Sequence, residues 1–327
     1  MTPRPLLLAV AVIASLTLAS SGGASSRSAR PLLGIRGDSP RFQGLTAQDS
    51  TVIHQIVGWG QGDSWGTPLA SLLRQMGEVP LLALNTTAKW PSRAEAITPA
   101  QIAAGAGDGY LLAINRAINA FGGMLYLRPF GEMNGHWNKY CAFTRTGRAK
   151  PGHSTALFRQ AFARVYLVAH GGSLAGIDAA LAARKMPPVR GAQSDLPANP
   201  FPTLRVIWNP QGFGAPDIRG NSAQAYYPGD AFVDVVGDDL YDIGTKAEWP
   251  AADALYKAHP TKPFAFPEWG LWGIDDPAFI RKMRDFVKTH PRTEMLAYFD
   301  SKPGSIFDLA SKPLSTAAYR AAITPLG

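Results

Sequence analysis

The chain has 327 residues, 46% of them hydrophobic and 17% charged, enough apolar material to close a large core. Its formal net charge is +8, but lysines and arginines are scattered, without a basic run or a binding motif, so nucleic acid is not an expected partner. Solubility or attraction to an acidic cell wall accounts for the charge. A single cysteine, Cys141, excludes an intrachain disulfide framework, and it reads as a partly buried small apolar residue.

The first element is MTPRP followed by an apolar run from Leu6 to Leu18 and small residues from Ser20 to Ala24. This is the pattern of a secretory signal over residues 1–24, with a polar leader over 25–31. A membrane span needs about 20 apolar residues, so no insertion is expected after cleavage. The expected location is secreted, extracellular or attached to the cell wall.

Eight short apolar or β-branched runs follow: LLGI from Leu32, VIHQIVGW from Val52, VPLLALN from Val79, MLYLRPF from Met124, LRVIWN from Leu204, FVDVVGDDLY from Phe232, PFAFPEW from Pro263 and EMLAYF from Glu294. Most are continuously apolar, as parallel strands covered on both faces should be. Between them lie helical patterns: TPLASLLRQMG, one long helix over TPAQIAAGAGDGYLLAINRAINAFG, STALFRQAFARVYLVAHGG, KAEWPAADALYKAH and DPAFIRKMRDFVKTH. Strand then helix, repeated, with no GxGxxG after the first strand, predicts an α/β protein. Its expected form is a single-domain (β/α)8 TIM barrel over 32–327. The stretch 173–203, rich in proline and alanine, reads as an insertion before the fifth strand, long enough to wall off one end of a cleft.

Only six glutamates occur, and two of them, Glu132 and Glu268, fall at the C-terminal ends of predicted strands four and seven. That rim is where barrels carry catalytic groups. Two carboxyls across a cleft suit glycosidic bond cleavage, one protonated as acid and one ionised as nucleophile, although ion pairing with Arg128 or capping of a loop would serve equally by spacing alone. Trp137, Trp208, Trp269 and Trp272 stand at or just after predicted strand ends, where flat rings pack well on sugars. Trp59 and Trp65, after strand two, extend the same expectation. Arg128, Asn134, His136, Asn209 and Asp239 are polar candidates for holding hydroxyls or orienting the carboxylates.

LRPFGEMNGHW resembles the strand-four motif of glycoside hydrolase family 26, the endo-β-mannanases and relatives among the clan A barrels, and LRVIWNPQG, VDVVGDDLYD and KPFAFPEWG are similar to its strands five, six and seven. The resemblance covers nearly all of 32–327. It implies a retaining hydrolase acting on a β-linked polysaccharide, mannan first and mixed-linkage glucan or xylan as alternatives. Glu132 would be the acid/base, Glu268 the nucleophile, and Tyr241 the hydroxyl that hydrogen-bonds it. No metal or cofactor is implied, and a monomer is expected. The sequence departs from the family at Gly131, where a histidine usually precedes the acid/base. The expectation is a lost polar partner and weak activity on plain unsubstituted mannan.

Other classes fit less well. GDS occurs at 37–39 and 62–64, but no Asp-x-x-His lies near the end and no GxSxG elbow is present. Six histidines are scattered singly, without HExxH, so metal hydrolysis is not expected. A carbohydrate-binding barrel without turnover is the alternative of another class.

Overall fold

The computed structural model describes residues 30–89, 92 and 94–327. The predicted signal peptide, 1–24, and most of the leader lie outside the described residues. All eight predicted strands form: β1 (Leu32–Arg36), β2 (Val52–Val57), β3 (Val79–Leu84), β4 (Leu125–Pro129), β5 (Leu204–Trp208), β6 (Val235–Asp242), β7 (Phe264–Leu271) and β8 (Thr293–Phe299). They pair in chain order, all parallel, and β1 closes on β8. Each passes to the next through α-helix except β5, which reaches β6 through three short 3-10 turns within 219–232, and the expected (β/α)8 architecture stands.

The strand alternation sorts side chains into two layers. One inward set, including Val52, Leu81, Tyr126, Ile207, Val235, Ala265 and Met295, forms an apolar plug in the lower barrel. Two residues further along their strands or just beyond them, the inward positions become His54, Arg128 and Asn209, all buried. A polar floor therefore rests on an apolar plug. The outward set packs against the helices as the larger core.

The helices are α1 (Ser39–Thr46), α2 (Leu69–Gln75), α3 (Pro99–Ala103), α4 (Asp108–Phe121), α5 (Thr155–His170), α6 (Leu174–Ala183), α7 (Trp249–Ala258), α8 (Pro277–Thr289) and α9 (Pro313–Ala322). The long helix expected over 98–122 is divided between α3 and α4. Gly105, at φ +80, bends the chain there, and a Cβ on it would come within 2.8 Å of Arg164 Nη2 and 3.0 Å of Asp108 Oδ2. The break makes room for a buried ion pair. Arg164 Nε and Nη2 donate to the two Asp108 oxygens at 2.7 and 2.6 Å.

Residues 173–203 contain α6 and an extended return. They connect the end of α5 to the start of β5, which puts them at the N-terminal end of the barrel. Arg164 holds the return through the carbonyls of Pro187 and Pro188, both at 2.9 Å, and Asp108 accepts the Arg190 amide at 2.7 Å. This corrects the expectation that the insertion walls off a cleft, because the cleft opens at the opposite end.

Candidate active site

β4 ends at Pro129, and the next three residues turn sharply. Phe130 and Glu132 both take left-handed backbone conformations, φ 54 and φ 53, each costing about 1–3 kcal/mol for a side-chain-bearing residue. The turn is held by hydrogen bonds on every side. Glu132 N–H donates to the Asn209 carbonyl at 2.6 Å, Tyr140 OH to the Gly131 carbonyl at 2.7 Å, and Asn138 Nδ2 to the Glu132 carbonyl at 3.0 Å. Asn134 stitches this loop to the one after β5, donating to the carbonyls of Gln211 and Phe213 at 2.8 and 2.9 Å. The result aims the Glu132 carboxyl into a cavity of about 510 Å³ at the C-terminal face, shared with Glu268, Asp239, Tyr241, Trp137 and Trp272.

The two carboxyls have different surroundings. Glu268, in β7 and buried, accepts from Arg128 Nη1 at 2.7 Å on Oε1 and from Tyr241 OH at 2.9 Å on Oε2. Both partners are donors that fix the carboxyl's position. Burial and then Glu268 hold the Tyr241 phenol well above its ordinary range, so it remains a donor. Glu132 accepts from Trp137 Nε1 at 2.6 Å and from Gln211 Nε2. Burial, and then the Glu268 charge, raise its proton affinity above the usual carboxylate range. One carboxyl is raised in proton affinity, and the other is held by a guanidinium and a phenol.

Arg128 links this floor together. Besides Glu268 it donates from Nε to Asn209 Oδ1 at 2.9 Å and from Nη2 to Asp239. The Arg128 guanidinium also explains Gly131. A Cβ on that glycine would overlap Nη2, Cζ and Nε of Arg128, the last only 2.6 Å away. The space beside Glu132 is thus filled by the arginine. In this chain the guanidinium occupies the space that a side chain at position 131 would need.

Of the expected tryptophans, Trp137 and Trp272 line the cavity, 48% and 43% exposed, whereas Trp208 and Trp269 are 0% exposed. Alternation is the reason: Trp269 follows the inward Glu268 and so points outward, packing on Tyr298 and Tyr319, while Trp208 precedes the inward Asn209 and packs on Tyr227 and His259. Both leave the set of sugar-contacting candidates. Asn134 is fully buried and serves the loops, and His136 lies edge-on to Trp137 without lining the cavity. Trp59 packs on Tyr110 and Phe130. Trp65 does reach a groove, a second cavity of about 340 Å³ on the far side of Trp137. Cys141 is fully buried beside Asn221 and Tyr226.

Sequence reasoning missed His54, Gln211 and Asp238. His54 Nε2 lies 3.8 Å from Glu268 Oε1, and neither ring nitrogen has a hydrogen-bond partner among the described residues. Burial, then Arg128 and Arg36, push its proton affinity well below the ordinary value, so the imidazole is neutral and does not compete for the carboxylate. A histidine at an inward position of an otherwise apolar strand was the available signal. Among the described residues no His, Cys, Asp and Glu cluster could hold a metal ion.

Similar barrels are known. A Bacillus subtilis mannanase superposes with TM-score 0.59 at 18% identity, covering 90% of this chain and 86% of that one. A β-mannanase of glycoside hydrolase family 26 from Bacteroides ovatus superposes with TM-score 0.56 at 16% identity, covering 90% and 88%. In fold, the chain is similar to these mannanase barrels. The fold agrees with the motif resemblance. By sequence the chain is 22% identical over 296 residues to endoglucanase H of Acetivibrio thermocellus, matching 86% of this chain but spanning only 28% of that protein's length. No family model matches.

Proposed function

We propose that the protein is a secreted β-glycoside hydrolase of the family 26 type, cleaving a β-linked polysaccharide with retention of configuration. The observation that carries this reading is the pair Glu132 and Glu268 in one cavity, one raised in proton affinity and one tied to Arg128 and Tyr241. In the first step the Glu268 carboxylate forms a bond to the anomeric carbon while Glu132 gives its proton to the departing glycosidic oxygen. Water, deprotonated by Glu132, then attacks the glycosyl ester and releases Glu268. Tyr241 and Arg128 hold Glu268 in place through both steps and receive its charge back at the end. Trp137 and Trp272 offer ring faces to the sugars.

Mannan is the leading substrate, since the similar barrels include mannanases. A β-glucan is the second reading, favoured by the likeness to a protein named an endoglucanase. Among the described residues no helix is long and apolar enough to cross a membrane. The test is hydrolysis of linear mannan, galactomannan, mixed-linkage glucan, carboxymethylcellulose and xylan by the purified protein, with sizing of products and proton NMR of the first anomer released. Binding without release of reducing ends would mean a carbohydrate-binding barrel, and an inverted anomer would exclude the double displacement.

A further inference from the structure

Strand β6 pairs with β7 in register up to Gly237 and again from Asp239, with a shift between them. Two steps on β6 are matched by three on β7, so the extra residue lies on β7 between Ala265 and Glu268, where a bulge commonly re-aims a side chain beside an active site. Gly237 permits the close approach, since a Cβ there would meet Ile207 Cγ2 at 2.9 Å and both Asn209 Oδ1 and Pro267 Cγ at 3.0 Å. Asp238 and Asp239, neighbours in sequence, both line the cavity. Asp239 is taken by Arg128 and Tyr241 by Glu268.

Asp238 is not taken by any side chain among the described residues. Its carboxyl accepts backbone amides, Gly212 N–H on Oδ1 at 3.2 Å and that of Asp239, and it is only 2% exposed. The other titratable groups around the same cavity are Glu132, Asp239, Tyr241, Glu248, Glu268 and Lys246, with Arg128 committed behind them. Carboxyls outnumber cations here, so an anionic sugar ring is disfavoured. The double displacement gives Asp238 no part.

We propose that Asp238 is a specificity-determining residue, whose carboxyl donates a hydrogen bond to a hydroxyl of a neutral sugar seated on the Gly212 side of the cavity. The assignment rests on the glycosidase reading, because its ligand is that enzyme's substrate. Burial, opposed by the Gly212 amide and aided by Glu132, pushes the Asp238 carboxyl up to about 8, which keeps its proton available at neutral pH. Above that pH the donor is lost.

The test is titration calorimetry with β-1,4-linked mannopentaose and cellopentaose, in a Glu268→Gln background that blocks turnover, from pH 5.5 to 9. With Asp238 present, affinity for the better pentaose should fall about tenfold as pH rises through 8, the equivalent of one buried hydrogen bond. Asp238→Asn keeps a donor at every pH and should bind with a flat profile. Asp238→Ala should be about tenfold weaker at pH 6 and equally flat. Unchanged affinity in Asp238→Ala, or the same alkaline fall in Asp238→Asn, overturns the assignment while leaving the glycosidase reading intact. A preference for chitosan pentamer that vanishes in Asp238→Asn also overturns it, because the group would then be an ion-pair partner for an ammonium. No pentaose binding together with no polysaccharide hydrolysis by the unsubstituted protein would remove both readings, and is distinguished by that second measurement.

Discussion

Glu132 and Glu268 differ in their company, and the difference gives opposite outcomes for the same substitution. Glu268→Ala should abolish turnover on every substrate, because no other group can form the glycosyl ester. Glu132→Ala should cost about 10²–10⁴-fold on polysaccharide but far less on an aryl glycoside whose leaving group needs no proton, with azide restoring turnover. The raised proton affinity of Glu132 sets the alkaline limb of kcat/KM, so that limb should disappear in Glu132→Ala assayed on the activated substrate. A rate that falls on the same alkaline limb in both proteins would count against the assignment. Gly131→His tests the neighbouring point. Its Cβ would displace the Arg128 guanidinium, so turnover should drop tenfold or more on all substrates. Improved activity on linear mannan would show instead that the glycine does restrict the substrate. These residues were legible unequally. Glu132, Glu268 and Tyr241 stand in quotable motifs at strand ends, while Asp238 neighbours an inward residue and strand alternation alone gives no sign that it lines the cavity.

At the scale of elements, the eight strands could be read because buried parallel strands are continuously apolar, and their order then fixed where the cleft would open. The errors came from what surrounds them. The runs place Trp208 and Trp269 at the rim, but a strand end says nothing about which face the last side chain takes, and a one-residue step reverses it. The break between α3 and α4 was hidden because apolar spacing continues across it. Its cause is the Asp108–Arg164 pair, contributed by two different helices. Asp108→Asn should leave the buried Arg164 cation unbalanced and loosen the 173–203 return. We expect a loss of about 3–5 kcal/mol in urea unfolding, with KM and kcat little changed at low temperature because the return lies at the end of the barrel away from Glu132. A stability loss below about 1 kcal/mol would show that the pair is exchangeable for neutral hydrogen bonds.

For the whole molecule, the positive net charge coexists with carboxyls whose proton affinity the fold raises, and the pH dependence of stability follows from the second fact. Burial pushes Asp238 up to about 8, and burial followed by Asp276 pushes Asp242 up to about 6. Glu294 and Asp300 are raised by burial in the same direction. A carboxyl that binds its proton more tightly when folded adds stability in full below its unfolded value of about 4, and this is lost as pH climbs to the folded value. Asp253 works oppositely, lowered by Lys257 and then His290, so its contribution disappears in strong acid. Thermal unfolding should therefore be latest in mildly acidic buffer and earlier at pH 8 than at pH 5. Asp238 alone accounts for at most about 5 kcal/mol of that difference. Asp238→Asn carries no ionisable group in either state, so it should match the unsubstituted protein near pH 4 and unfold several degrees later near pH 8. Scanning calorimetry of both proteins over pH 4–9 checks this. If the two curves run parallel across the range, Asp238 titrates as an ordinary carboxylate and the cavity wall is charged at neutral pH.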